Sequence, residues 1–278
     1  MTEDLHASAL LPLRTLYHYT TQAGLLGILT SKSIWASEIR FLNDTTEFRT
    51  ALDAVGTELG TRLNDLDSKE ARVRGEAIFR EFTVLEETSV FVLALTEKGD
   101  DLSQWRAYGG THSGFALGFD IDKLTTLAAE HGFLLERCLY EAPEHSLLAA
   151  TIVDAALAWL DEGDRMTRRR RREFRRTMLQ TAPLLKDYSF RDESEWRLVS
   201  AAHDVTSSEI GFRSGPSTFI PYYNLPLFAA DGSTPLSSVT VGPTPHTDLA
   251  SHSTCALLRA RGFKDALVHE SHIPLRTW

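Results

Sequence analysis

The run Ser89-Val90-Phe91-Val92-Leu93-Ala94-Leu95-Thr96 constrains the fold more than any other stretch of the chain. It is apolar enough to form a strand buried on both faces. A strand of that kind needs neighbours beside it and covering layers above and below. The rest of the chain offers both. Leu16-Tyr17-His18-Tyr19 is a short β-prone run, and Thr20 and Thr21 after it are N-cap candidates for a helix over Ala23–Leu29. Leu25, Ile28 and Leu29 share one face of that helix. Ser33–Ser37 reads as a second strand, and Asn43-Asp44 as a turn signal, with Asp44 a candidate cap for a helix over Thr46–Gly56.

Helical pattern continues to about Leu85. A short helix is expected at Leu102–Tyr108, broken by Gly109-Gly110, then a strand at Gly114–Asp120, a helix around Lys123–Glu130 and a strand at Phe133–Tyr140. Long helices follow over about 146–185. Strands are expected again at Glu195–Ser200, Ser238–Val241 and Ala266–His269, with a helix at Thr247–Arg261. Strands at both ends around an inserted helical block predict an α+β fold in a single domain over 1–278.

The 278 residues, 42% hydrophobic and 24% charged, suffice for one sizeable core. A net charge of −9 argues against a general nucleic-acid coat but leaves room for a local basic patch. Cys138 and Cys255 are far apart and in no metal-ligand spacing, so neither a disulfide framework nor a metal site is expected. The first twenty residues carry Asp and Glu without a continuous apolar run, and no apolar run reaches the roughly 20 residues that span a bilayer. A soluble, cytoplasmic protein is expected.

Three segments carry side chains that could do chemistry: Tyr17-His18-Tyr19-Thr20, Trp105-Arg106-Ala107-Tyr108 and Glu193-Ser194-Glu195-Trp196-Arg197. Each also has a plain structural reading. His18 could be a hydrogen-bonded strand histidine, and Trp105 and Tyr108, three apart on one helical face, could plug a core. Glu193 and Glu195 are expected on one face of a strand, where two carboxylates repel unless a cation or substrate separates them. Arg197, next on that face, could be the cation.

Taken in order, these segments resemble something specific. His18-Tyr19-Thr20, Phe41-Leu42-Asn43-Asp44 with Glu47, Trp105 with Tyr108, Gly114–Asp120, Lys186-Asp187 with Phe190, Glu193 with Glu195-Trp196-Arg197, and Ser271 with Ile273-Pro274-Leu275-Arg276 form one series. The series is similar to that of the bacterial domain-of-unknown-function family 2971, which groups with ADP-ribosyltransferase-like folds. The resemblance runs from about Leu16 to Arg276. It implies a mixed or antiparallel split β-sheet core with the helical insert at about 146–185, and NAD as co-substrate. Glu195 would be the carboxylate that favours charge on the ribose, and Glu193 would orient or deprotonate the acceptor. His18 would bind the adenosine-side ribose, with Tyr19, Thr20, Asn43 and Arg197 around the dinucleotide. An aromatic residue would stack on nicotinamide, with Tyr108 as first choice and Trp105 and Trp35 as alternatives.

The resemblance implies transfer of ADP-ribose from NAD to a protein or nucleic acid, as in toxins and antiphage effectors, and leaves room for an antitoxin or regulatory partner. The alternatives are NAD hydrolysis, RNA 2′-phosphate transfer, or a non-catalytic protein that binds a nucleotide or partner. The absence of G-x-G-x-x-G and G-K-[ST] loops argues against Rossmann or P-loop binding. Residues 165–176 hold eight arginines, Arg165 and Arg176 at their ends and five in a row at 168–172. The segment reads either as a nucleic-acid or acidic-partner surface, or as a solvated helix paired with Asp161, Glu162, Asp164 and Glu173.

Overall fold

The structure is a computed structural model that describes residues 14–42, 47–64, 89–110, 114–161, 168–215 and 217–274. Strand β1 (Thr15–Thr21) ends where the Thr21 hydroxyl accepts from Gly24 N at 3.1 Å, and so caps α1 (Gln22–Ser31). Leu25, Ile28 and Leu29 are the buried face of α1, as the spacing predicts. A left-handed Lys32 stops the helix and starts β2 (Ser33–Glu38). The Glu38 carboxylate then caps the short turn Ile39–Phe41, accepting from Arg40 N at 3.0 Å, and Phe41 and Leu42 follow. Helix α2 (Glu47–Asn64) comes next. Asp44 and the helical pattern expected over 65–85 lie outside the described residues.

The apolar run forms β3 (Phe91–Thr96), then α3 (Leu102–Tyr108), β4 (Gly114–Asp120), α4 (Ile121–Glu130) and β5 (Leu134–Arg137). The helical block comprises α5 (Ala142–Asp161) and α6 (Arg168–Thr181). Strand β6 (Glu195–Val199) follows a 3-10 turn at Tyr188–Glu193. The remainder is β7 (Ile210–Ser214), β8 (Phe219–Pro226), β9 (Leu236–Val241), α7 (Thr247–Arg261) and β10 (Leu267–Glu270). The β7–β8 hairpin has no counterpart among the sequence-based expectations. Its apolar residues do not alternate cleanly, since Phe219-Ile220 and Tyr222-Tyr223 stand side by side, and Phe212 and Phe219 are exposed.

The strands form one mixed sheet in the order β10-β9-β4-β1-β3-β2-β8-β7, with β6 along the other edge of β3 and β5 beyond it. All pairs are antiparallel except β10 with β9. The joint in the middle positions everything that follows. Strand β6 pairs with β3 from Val92 to Thr96, so β1 and β2 must share the opposite edge. Strand β2 takes its start, at Phe91 and Val92, while β1 takes its end, at Thr96 alone. The sheet therefore parts between β1 and β2, beside Ala94.

Two cores cover the two faces. Phe91, Leu93 and Leu95 pack with α1, α4 and α7 on one side. Val90, Val92 and Val199 pack under α2, α5 and α6 on the other. Tyr19 and Ala116 lie under Trp105 of α3. The expectation that β3 is buried on both faces fails at Ala94, which is exposed: among the described residues no element covers it. That uncovered spot is where the cleft opens.

Candidate active site

A cleft of about 350 Å³ opens at the split. Antiparallel partners point to the same side of a sheet, so Thr96 with Glu195 and Ala94 with Arg197 form its floor. Tyr17, His18 and Tyr19 line it from β1, Tyr108 from the end of α3, Phe41 and Leu42 from the turn after β2, and Lys186 and Phe190 from the segment before β6. Arg213 of β7 also lines it, with Gln104 of α3.

His18 donates from Nδ1 to the Ala94 carbonyl oxygen at 3.0 Å. A carbonyl can only accept, so Nδ1 carries the proton and Nε2 is left as an acceptor. Burial disfavours the imidazolium and holds the His18 pKa below the ordinary value, the Ala94 bond offsetting this in part. The ring is neutral at pH 7.

The acidic pair is not arranged as the sequence suggests. Glu193 ends the 3-10 turn, and Ser194 is left-handed at φ 45°, so only Glu195 belongs to a strand. The kink brings both carboxylates to one ammonium. Lys186 Nζ is 2.6 Å from Glu193 Oε2 and also bonds Glu195 Oε2, while Arg197 Nε donates to Glu195 Oε1 at 2.7 Å. Lys186, which stood in the Lys186-Asp187 motif with no role assigned, is the cation that separates the carboxylates. Only its approach in three dimensions reveals that.

Burial raises the cost of ionising Glu195, but Arg197 and Lys186 outweigh it and hold the pKa below the usual carboxylate range. Burial likewise opposes the Lys186 charge, yet Glu195 and Glu193 keep its pKa above the lysine range. The segment is anchored as well as charged. Glu195 N donates to the Tyr140 hydroxyl at 2.8 Å, and Thr96 Oγ1 donates to Glu193 O at 2.6 Å. Glu195 is 5% exposed, whereas the Glu193 side chain is 27% exposed. Of the two, Glu193 is the one open to solvent.

The aromatic candidates separate. Tyr108 is 38% exposed on the cleft rim, and its hydroxyl pKa is raised by burial and by Glu193 and Glu195. Phe41 and Phe190, also exposed, join it there. Trp105 is instead 3% exposed, meets Tyr19 edge-on at 4.5 Å and donates from Nε1 to Asp100 at 2.7 Å. It is a core residue outside the cleft lining. Tyr19 turns its hydroxyl away, between Lys98 O at 2.8 Å and Asp101 N at 3.0 Å. Thr20 lies outside the lining, Trp35 lies farther along the same sheet face, and Asn43 lies outside the described residues.

Of the arginine block, 168–176 are helical in α6, and Arg165 lies outside the described residues. Phe174, Met178 and Leu179 bind that helix to the core under α2 and α5. Among the described residues no cluster of His, Cys, Asp and Glu is suited to a metal, and no helix is long and apolar enough to cross a membrane.

The stretch from Gln104 on α3 to Leu198 on β6 carries the acidic pair, Lys186 and Tyr108. Residues 104–198 match the family model "Protein of unknown function (DUF2971)". No curated protein and no solved structure matches the chain. The DUF2971 match includes the cleft floor on β6 and the rim on α3, while His18 on β1 and Arg213 on β7 stand outside it. Over that region it supports the motif resemblance.

Proposed function

We infer that the chain is an NAD-dependent ADP-ribosyltransferase that works in the cleft at the split of the sheet and transfers ADP-ribose to a macromolecular acceptor. One observation carries this reading. His18 and Glu195, on the two strands that flank β3, line the same cleft.

Breaking the nicotinamide–ribose bond puts positive charge on the anomeric carbon, and a fixed anion beside that carbon lowers the barrier. Glu195, kept ionised by its two cations, suits that electrostatic role and the holding of a ribose hydroxyl. Its low basicity suits it poorly to removing a proton. The more open Glu193 is better placed to take the proton of an acceptor. His18 offers Nε2 to a donor hydroxyl, as a ribose presents, and Tyr108 offers a ring on the rim for nicotinamide.

A second reading has its own support. Both Glu195 oxygens are already ion-paired and the residue is nearly covered, which suits a protein that binds a nucleotide without cleaving it. Nicotinamide release by the purified chain separates the readings. Turnover that needs a protein or nucleic-acid acceptor supports transfer. Turnover in water alone makes the chain a hydrolase, binding without turnover favours the second reading, and absence of both overturns the assignment of NAD.

A further inference from the structure

The sheet face that floors the cleft continues past it. Ser37 pairs with Val92 on one side and Tyr222 on the other, Trp35 pairs with Asn224, and Gly211 lies opposite Tyr222. By register these residues share the face of Ala94 and Arg197. Trp35 is 45% exposed there and stacks on Tyr222 with ring centres 4.2 Å apart and planes 24° from parallel. The Tyr222 ring lies across β7 because residue 211 is glycine; a Cβ at that position would come within 2.5 Å of the ring.

Two polar groups flank the stacked pair. Asn224 is exposed, and its Oδ1 accepts from Ser33 Oγ at 2.7 Å, which fixes the amide and leaves its NH₂ to donate. Arg213, the next residue after Gly211 on this face, bonds Ser37 Oγ at 3.3 Å and lines the cleft. Among the described residues no carboxylate pairs with it. The other cations of the cleft floor, Lys186 and Arg197, are already matched by Glu193 and Glu195. Among the described residues that line the cleft, Arg213 is the cation with charge to spare.

We propose that this face binds single-stranded nucleic acid, with a base on the outer side of Trp35, the Asn224 amide at a base edge and a phosphate on Arg213. Stacking on an exposed ring beside a cation is how single strands are held with little sequence preference. The site is local, which reconciles it with a net charge of −9. An acidic peptide would use Arg213 but would have no need of a preformed, exposed indole. A strand seated on Trp35 and Arg213 enters the cleft at Ala94 and runs toward Glu193. Its role as acceptor of ADP-ribose rests on the proposed function; its binding does not.

The test is fluorescence anisotropy of a short labelled oligouridylate with the full chain, without NAD, at low and at physiological salt. Trp35→Ala and Arg213→Gln are each expected to weaken binding roughly tenfold or more, while Trp35→Phe keeps most of it. Arg213→Gln should also flatten the salt dependence by about one phosphate contact. Thermal unfolding of each variant checks the fold, and Trp35→Leu and Arg213→Met, which remove the stacking ring and the charge, serve if a truncation fails to fold. The proposal is overturned if the oligonucleotide does not bind, or if both truncations bind as tightly as the parent. It is equally overturned if an acidic peptide competes more strongly than the oligonucleotide. Because NAD is absent, loss of this proposal with nicotinamide release intact leaves the proposed function standing, and the reverse result leaves the nucleic-acid surface standing.

Discussion

His18 Nδ1 donates to the Ala94 carbonyl oxygen at 3.0 Å across the gap where the sheet parts, joining residues 76 positions apart. On β3 the edge between the β2 pairing at Val92 and the β1 pairing at Thr96 has no strand partner among the described residues, and the imidazole bonds its Ala94 carbonyl. The same bond fixes the tautomer and leaves Nε2 as an acceptor. A single contact thus serves the fold and prepares the site.

Those two roles can be separated. His18→Ala is expected to raise the NAD Kd about tenfold or more, the worth of one well-made hydrogen bond, and to cost roughly 1 kcal/mol of stability. Titration calorimetry and urea unfolding on the same preparation measure both. A loss of stability with unchanged affinity would make His18 a structural residue only.

The neutral ring also sets a pH dependence. A histidine whose folded pKa is depressed binds its proton more readily when unfolded, so stability rises with pH through that window. Stability is therefore expected to fall as pH drops below about 6.5, the ordinary histidine value. His203, whose pKa is also lowered by burial and whose Nε2 is buried without a partner, adds to the same limb. Denaturation midpoints from pH 5 to 7.5 for the parent, His18→Asn and His203→Asn should show each variant with a shallower slope. Equal slopes in all three would remove both histidines from the account.

On the proposed function, Glu195→Gln should cut nicotinamide release at least about a hundredfold, since it removes the anion assigned to the developing positive charge. It should also cost about 3–5 kcal/mol of stability, because Lys186 and Arg197 are left buried with too little negative charge. Adding Lys186→Met should recover part of that stability and none of the activity. Activity retained in a folded Glu195→Gln protein would discard the assignment.

Tyr108 and Trp105 lie on one short helix and should respond oppositely. Trp105→Ala empties a packed site against Tyr19 and should cost about 3–5 kcal/mol. Tyr108→Ala truncates a partly exposed ring and should cost no more than about 1 kcal/mol, yet weaken NAD binding. The comparison uses thermal unfolding and calorimetry. A Tyr108 variant with unaltered affinity would take nicotinamide stacking away from this ring.

Regular elements were legible where one periodicity dominated. The Leu25, Ile28 and Leu29 stripe, the apolar β3 run and the Leu102–Tyr108 helix all fall where their spacing places them. The acidic pair was legible in composition but not in geometry, because the left-handed Ser194 breaks the alternation that a strand would impose. Lys186 and Arg213 were illegible as partners of the cleft. Lysines and arginines are mostly surface residues, and nothing local marks the two that fold onto the floor or rim of a site. The split itself depends on which edge of β3 each strand takes, and that is a property of long-range pairing.

Ala94 offers the most direct test of where the ligand sits. It is exposed on a strand whose other positions are buried, its carbonyl oxygen accepts from His18, and Arg197 is its partner on β6. A larger side chain there displaces no packed neighbour, so Ala94→Leu should shift stability by no more than about 1 kcal/mol. The new isobutyl group would occupy the floor between the two proposed anchors of the dinucleotide. NAD affinity should fall beyond detection by calorimetry, while the unfolding midpoint stays near that of the parent. Undiminished NAD binding by a well-folded Ala94→Leu protein would move the nucleotide out of this cleft, and the roles assigned to His18 and Glu195 with it.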